Sequence, residues 1–221
     1  MKLLGVSDTE IGFLYSPMIA EKFQDIDLIL SCGDLPYFYI EYMLSMLNVP
    51  CYYVRGNHAS DREIGVGGTR RFPWGAVDLH RRCIEDDTGL LLAGLEGSLR
   101  YNRGQHQYTQ DEYWGLVFSL VPRFLINKAK LGRYLDIFLS HAPPWKIHDE
   151  EDLPHRGIKA FNWLIKVFQP TYFLHGHIHV YRQDTVIRTL VGKTTVQNVY
   201  GYKVLTIPLL DKRSWQKGVI Q

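Results

Sequence analysis

Short runs of aliphatic and β-branched residues recur along the first 175 positions, and each stops abruptly at polar side chains. They are Leu3–Ser7, Ile26–Ser31, Cys51–Arg55, Gly89–Ala93, Leu135–Ser140 and Thr171–His175. Near-continuous apolar runs of this length predict strands buried on both faces. Between them the apolar spacing turns helical, at Met18–Phe23, Phe38–Leu47, from Gln110 into the 120s, and at Ile158–Phe168. Thr109 and Glu112 form a T-x-x-E capping box that opens the third helix, which Pro122 is expected to interrupt or kink. Strands alternating with helices require crossover connections and a largely parallel sheet. The last third changes to period two over Val180–Arg188, Lys193–Val199 and Tyr202–Pro208, with turns at Val191-Gly192-Lys193 and Tyr200-Gly201-Tyr202. That pattern predicts an antiparallel meander. Ala59–Asp78 and Glu150–His155 read as surface loops.

The polar residues at the strand ends carry the chemistry. Successive runs stop at Asp8, Gly33-Asp34, Gly56-Asn57-His58, His141 and His175-Gly176-His177-Ile178-His179. In open parallel sheets, ligands bind beyond the carboxyl ends of the strands. A lone Asp after a strand is usually a turn former, and a lone His is usually satisfied locally. Asp, Asn or His at one strand end after another points instead to a shared site. Asp8, Asp34, Asn57, His141, His177 and His179 offer hard oxygens and imidazoles without thiolate, a set suited to Mn, Fe or Zn. Six ligands exceed what one tetrahedral zinc requires, so two divalent ions are the better count. Asp34, on the tight turn after Gly33, is the natural bridging carboxylate.

Composition narrows the setting. At 221 residues, 46% hydrophobic and 22% charged, the chain is expected to form one domain spanning 1–221. A net charge of +2 gives no support to a nucleic-acid or membrane partner. No apolar run approaches the ~20 residues of a membrane span. The opening Met1–Ser7 lacks the long apolar region of a signal peptide and reads as a first strand. Three cysteines, Cys32, Cys51 and Cys83, show no C-x-x-C spacing, so a reducing cytoplasm is the expected location.

Taken together, Asp8-Thr9-Glu10, Gly33-Asp34, Gly56-Asn57-His58, Ser140-His141 and Gly176-His177-Ile178-His179 resemble the calcineurin-like metallophosphoesterase superfamily, whose pattern runs D-x-H, G-D, G-N-H, a strand-terminal His, then G-H-x-H. The resemblance spans residues 8 to 179. It implies a four-layer α/β/β/α sandwich of the metallo-dependent phosphatase type. It also implies a hydrolase acting on phosphate esters through a water activated by a dinuclear, manganese-type centre. By that similarity, Asp8, Asp34 and His179 would hold one ion. Asp34, Asn57, His141 and His177 would hold the other, and His58 would face the substrate as acid or electrostatic partner. The substrate would be a phosphorylated small molecule or peptide.

Two positions depart from the pattern. Glu10 replaces the D-x-H histidine and is expected to take its place as a ligand. The acid that often follows G-N-H is replaced by Ala59, so either Asp61 takes over the orienting of His58 or His58 is less firmly held. Arg55 resembles the arginine that contacts phosphate in the protein-phosphatase branch. His148, His155 and Arg156 leave His141 on a loop that passes the site, and the start of the following helix offers an anion position. The strip Glu96–Tyr108 could edge the pocket, and His175 is expected to pack beside the ligands without binding. The competing reading is a binding module that keeps the fold and has lost catalysis, for which Glu10 is the supporting feature.

Overall fold

A computed structural model describes residues 1–60, 62–65 and 68–208. The elements run β1 (Lys2–Ser7), α1 (Met18–Lys22), β2 (Leu28–Ser31), α2 (Tyr37–Leu47), β3 (Cys51–Tyr53), β4 (Glu63–Gly65) and β5 (Gly68–Arg70). They continue with β6 (Ala76–Asp78), β7 (Arg82–Glu85), β8 (Leu91–Leu95), β9 (Ser98–Leu99) and β10 (Gln107–Tyr108). The remainder are α3 (Gln110–Leu131), β11 (Ile137–Ser140), α4 (Lys159–Phe168), β12 (Tyr172–His175), β13 (Arg188–Val191), β14 (Thr194–Asn198) and β15 (Gly201–Thr206).

Two main sheets result, one ordered β15-β1-β2-β3-β6 and the other β13-β14-β12-β11-β8-β7. Their central pairs are parallel and the β15 and β7 edges antiparallel. Alternating side chains sort the core into layers. Leu4, Val6, Ile29 and Cys51 pack on Ile19 of α1 and Tyr39, Ile40 and Met43 of α2. The intervening Leu3, Leu28, Leu30 and Tyr52 point the other way and meet Leu92, Ile137, Leu139 and Leu174 of the second sheet. That sheet's far face, with Ala93, Phe138, Phe173 and Val196, is covered by Tyr113, Val117 and Phe124 of α3 and Phe161 and Leu164 of α4. The order is helix, sheet, sheet, helix, as the resemblance implied. The buried β1, β2, β11 and β12 explain why their sequences read as continuous apolar runs.

Three expectations need correction. The last third is not a single meander. β13 and β14 form the antiparallel hairpin around Gly192, but β14 pairs parallel with β12, and β15 crosses to pair antiparallel with β1 of the other sheet. Val180–Ile187 stays irregular: Tyr181 and Val186 are exposed, and an Arg182–Asp184 ion pair closes a turn there. Second, Pro122 does not interrupt α3, which runs on to Leu131. Pro122 is exposed, on the side where the carbonyl freed by its missing N–H can be hydrated. The Thr109 cap is as expected, its hydroxyl accepting from Glu112 N at 3.2 Å. Third, the segment Ala59–Asp78 contains the β4–β5 hairpin and the edge strand β6, whose few residues are too short for a periodic signal. Asp61 falls outside the described residues. Cys32, Cys51 and Cys83 are free thiols.

Leu139 sits fully buried between the sheets, whereas Leu125 on α3 is 54% exposed. Urea denaturation of Leu139→Ala should show a loss of about 2–5 kcal/mol, and Leu125→Ala a change within about 0.5 kcal/mol.

Candidate metal centre

The carboxyl ends of β1, β2 and β3 in one sheet meet those of β11 and β12 in the other. Backbone shape fixes what each delivers. Asp8, Asp34 and His177, each just past a strand, adopt φ of 65°, 54° and 68°. This left-handed conformation costs an L-residue roughly 1–2 kcal/mol. Local bonds offset it: the Asp8 carboxylate accepts from His177 N at 2.9 and 3.1 Å, and Asp34 Oδ1 accepts from His58 N at 2.9 Å. The glycines of the motifs are steric necessities. A Cβ on Gly56 would fall on the Asp34 carboxylate, and one on Gly176 would fall on that of Asp8.

The donor atoms can be assigned from their outer partners. His141 is fully buried, and its Nδ1 lies 2.7 Å from the Cys32 carbonyl oxygen. That oxygen can only accept, so Nδ1 carries the ring proton and Nε2 keeps its lone pair. His177 Nε2 likewise donates to the Pro154 carbonyl at 2.8 Å, which leaves its Nδ1 bare. The Asn57 amide donates through Nδ2 to the Tyr101 hydroxyl at 3.1 Å, which turns Oδ1 inward. Around His141 Nε2 stand Asp34 Oδ2 at 3.0 Å, Asn57 Oδ1 at 3.1 Å and His177 Nδ1 at 3.2 Å. With His141 neutral, four acceptors therefore converge with no donor among them. One proton on His141 satisfies at most part of this set, whereas a divalent cation satisfies all of it. The mixed nitrogen and oxygen donors fit Mn, Fe or Zn.

Beside this cluster the site is more open. Ligand atoms of Asp8, Asp34 and His141 lie within 4.8 Å of one another. His179 Nε2 is 3.9 Å from Asp8 Oδ1, with its ring 45% exposed and its Nδ1 2.8 Å from the Tyr181 hydroxyl. Electrostatics agree with a centre built for positive charge. Burial opposes a charged His141, but Asp34 and Asp8 pull its pKa upward. Burial raises Asp8, whereas Asp34 is held down, against burial, by His141 and its hydrogen bonds. Burial and the neighbouring His141 push His177 down to about 3, leaving it neutral.

The structure thus brings Asp8, Asp34, Asn57, His141, His177 and His179 together, with His58 exposed at the rim. Glu10 does not join them; it is exposed and outside the cluster. His175 is buried without facing the cluster and bonds to His148 Nδ1 at 2.9 Å, which in turn reaches the Thr189 hydroxyl at 2.8 Å through its Nε2. His155 pairs with Asp152 at 2.8 Å and lies beside the His177 ring, 5.2 Å between centroids. Arg156 is turned back onto the Glu151 carbonyl, and Gln110 Oε1 caps the start of α4 by accepting from Lys159 N at 2.9 Å. Arg55 lies 3.2 Å from Asp78 and 3.6 Å from Glu96. Sequence reasoning missed Tyr101 and Pro154, whose role is positional and leaves no motif.

Residues 1–181 match the calcineurin-like phosphoesterase family. The chain belongs to this family. No curated protein matches it in sequence. Among solved structures, TT1561 of Thermus thermophilus superposes with a TM-score of 0.57 at 16% identity, covering 90% of this chain and 89% of its own. GAP50, the anchor in the inner membrane complex of Plasmodium, gives 0.51 at 12% identity, covering 90% and 70%. At these identities the likeness is one of fold. No helix among the described residues is long and apolar enough to cross a membrane.

Removing the hydroxyl that holds the Asn57 amide tests the donor assignment. Tyr101→Phe should weaken metal binding by about tenfold or more in a metal titration, since outer partners of ligands typically contribute about 10–100-fold.

Proposed function

We propose that this chain is a metal-dependent phosphoesterase hydrolysing a phosphomonoester or phosphodiester of a small molecule or peptide, in one catalytic domain across 1–221. The observation that carries the reading is the convergence of three acceptors, Asp34 Oδ2, Asn57 Oδ1 and His177 Nδ1, on the lone pair of His141 Nε2. Asp34, Asn57, His141 and His177 would hold one divalent ion tightly. Asp8 and His179, with Asp34 bridging, would hold a second in the more open position. When bound, such a pair lowers the pKa of water toward neutrality and polarises phosphoryl oxygens.

The chain's own residues supply the rest. Cys32 and Pro154 carbonyls fix the tautomers of His141 and His177, so both rings stay aligned through turnover. Asp34 anchors the backbone N–H of His58, which sets that residue at the rim of the cluster. The His58 ring makes no hydrogen bond among the described residues, so it can meet the leaving oxygen and protonate or stabilise it. The exposed rim fits a reaction whose substrate enters from solvent.

A second reading, a binding module without turnover, is favoured by Glu10, which stands exposed where the family pattern has a histidine. The likeness of the fold to GAP50, an anchor, is compatible with it. Hydrolysis of para-nitrophenyl phosphate with added manganese separates the two. Wild type should turn over and lose activity on chelation. His58→Ala should lower kcat by ~10²–10⁴ with metal content unchanged. Asp34→Asn should lose metal and activity together. If His58→Ala also strips the metal, the role given to His58 is wrong; if wild type binds manganese and hydrolyses nothing, the binding module stands.

A further inference from the structure

An open pocket of about 280 Å³ is lined by Arg55, Arg62, Arg71 and His106. Arg55 immediately precedes Gly56-Asn57, and Arg62 lies in the segment that leaves His58. Arg55 also walls a second crevice together with Gly33, Asp34 and Ala59, so this arginine links the pocket to the turn that carries Asp34. None of the six proposed metal ligands lines the pocket itself. An anion held there is a different group from one seated on the ions.

Charge accounting distinguishes the arginines. Arg55 is matched by Asp78 at 3.2 Å and Glu96 at 3.6 Å, and His106 by Glu96 at 3.0 Å. Arg70 nearby is structural: it pairs with Glu41 at 3.0 Å and stacks on Trp74. Arg62 and Arg71 are exposed and have no ion pair among the described residues. The pocket thus combines one fixed guanidinium with two that no described carboxylate matches. Guanidinium forks match phosphate oxygens in pairs, and no described carboxylate lines the space.

We infer that this pocket is a subsite for a second phosphoryl group, so that the preferred substrate is a small molecule bearing two phosphates, one cleaved at the metal cluster and the other held by Arg55, Arg62 and Arg71. The inference rests on the phosphoesterase reading and names its substrate class. A nucleoside diphosphate and a sugar bisphosphate share the required chemistry.

The test compares kcat/KM for ADP and for fructose 1,6-bisphosphate with that for para-nitrophenyl phosphate, in wild type and in R62Q/R71Q, all with manganese. Wild type should prefer at least one bisphosphorylated compound, and which one identifies the source. In R62Q/R71Q that preference should fall by about tenfold or more, the effect of losing hydrogen bonds to a charged group. An unchanged preference, or a wild type that favours the simple aryl ester, overturns the subsite. Calorimetric titration with methylenediphosphonate separates this from failure of the phosphoesterase reading. Weaker binding to R62Q/R71Q than to wild type supports the pocket even if no ester is turned over, and equal binding overturns it.

Discussion

Four lone-pair donors facing one another at the junction of two sheets are the constraint around which this molecule is arranged. Such a group is unfavourable without a cation or a proton between them. Asp8, Asp34 and His177 adopt left-handed conformations, and the bonds that hold Asp8 against His177 tie one sheet to the other. His141 of the second sheet, just past β11, reaches the Cys32 carbonyl at the end of β2, and His177 N–H reaches Asp8 at the end of β1. The same contacts that aim the ligands therefore also close the upper edge of the inter-sheet core. Metal binding and sheet docking are linked by shared hydrogen bonds, so loading the centre should stabilise the fold as well as the site.

How much of this was legible follows from what each signal depends on. The buried strands could be read because burial on both faces leaves an unbroken apolar run, and the ligands because they fall at the ends of those runs. The motif glycines were legible as punctuation, but their reason is tertiary: the space at Gly56 and Gly176 is filled by carboxylates from distant strands. Strand partners were not legible. β15 alternates as a meander strand would, yet its neighbour is β1, and nothing in a period-two pattern names a partner. Pro122 misled because propensity weighs the lost hydrogen bond without knowing that the residue faces water. Tyr101 and Pro154 were silent because a positioning contact through a hydroxyl or a carbonyl constrains geometry far more than residue type.

The two halves of the centre are built to different standards. His141, Asn57 and His177 are buried, and each is fixed by a second bond on its far side. His179 is nearly half exposed, and its fixing partner, Tyr181, is itself 82% exposed. Glu10, which would complete the outer position in place of the pattern's histidine, stands exposed outside it. An ion in the inner position would thus be held by preorganised ligands, whereas one in the outer position would have to order its own.

Glu96 shows how the region beside the centre is organised. Its side chain is 6% exposed, yet it stays ionised: burial opposes the charge, but His106, His80 and Tyr108 hold its pKa down to about 2. Tyr108 donates to it at 2.7 Å, and Tyr113 donates to its backbone carbonyl at 3.0 Å, so it is anchored to the core beneath α3. A buried ion pair is weak evidence of stability, since desolvation offsets much of the attraction. Its value here is positional. By holding both Arg55 and His106 from below, Glu96 fixes one wall of the cationic pocket at a set distance from the strand end that carries Asn57. The exposed Arg62 and Arg71 have room to adapt. On the phosphoesterase reading, a fixed Arg55 together with adaptable Arg62 and Arg71 would hold an anionic group while admitting variation in the rest of the substrate.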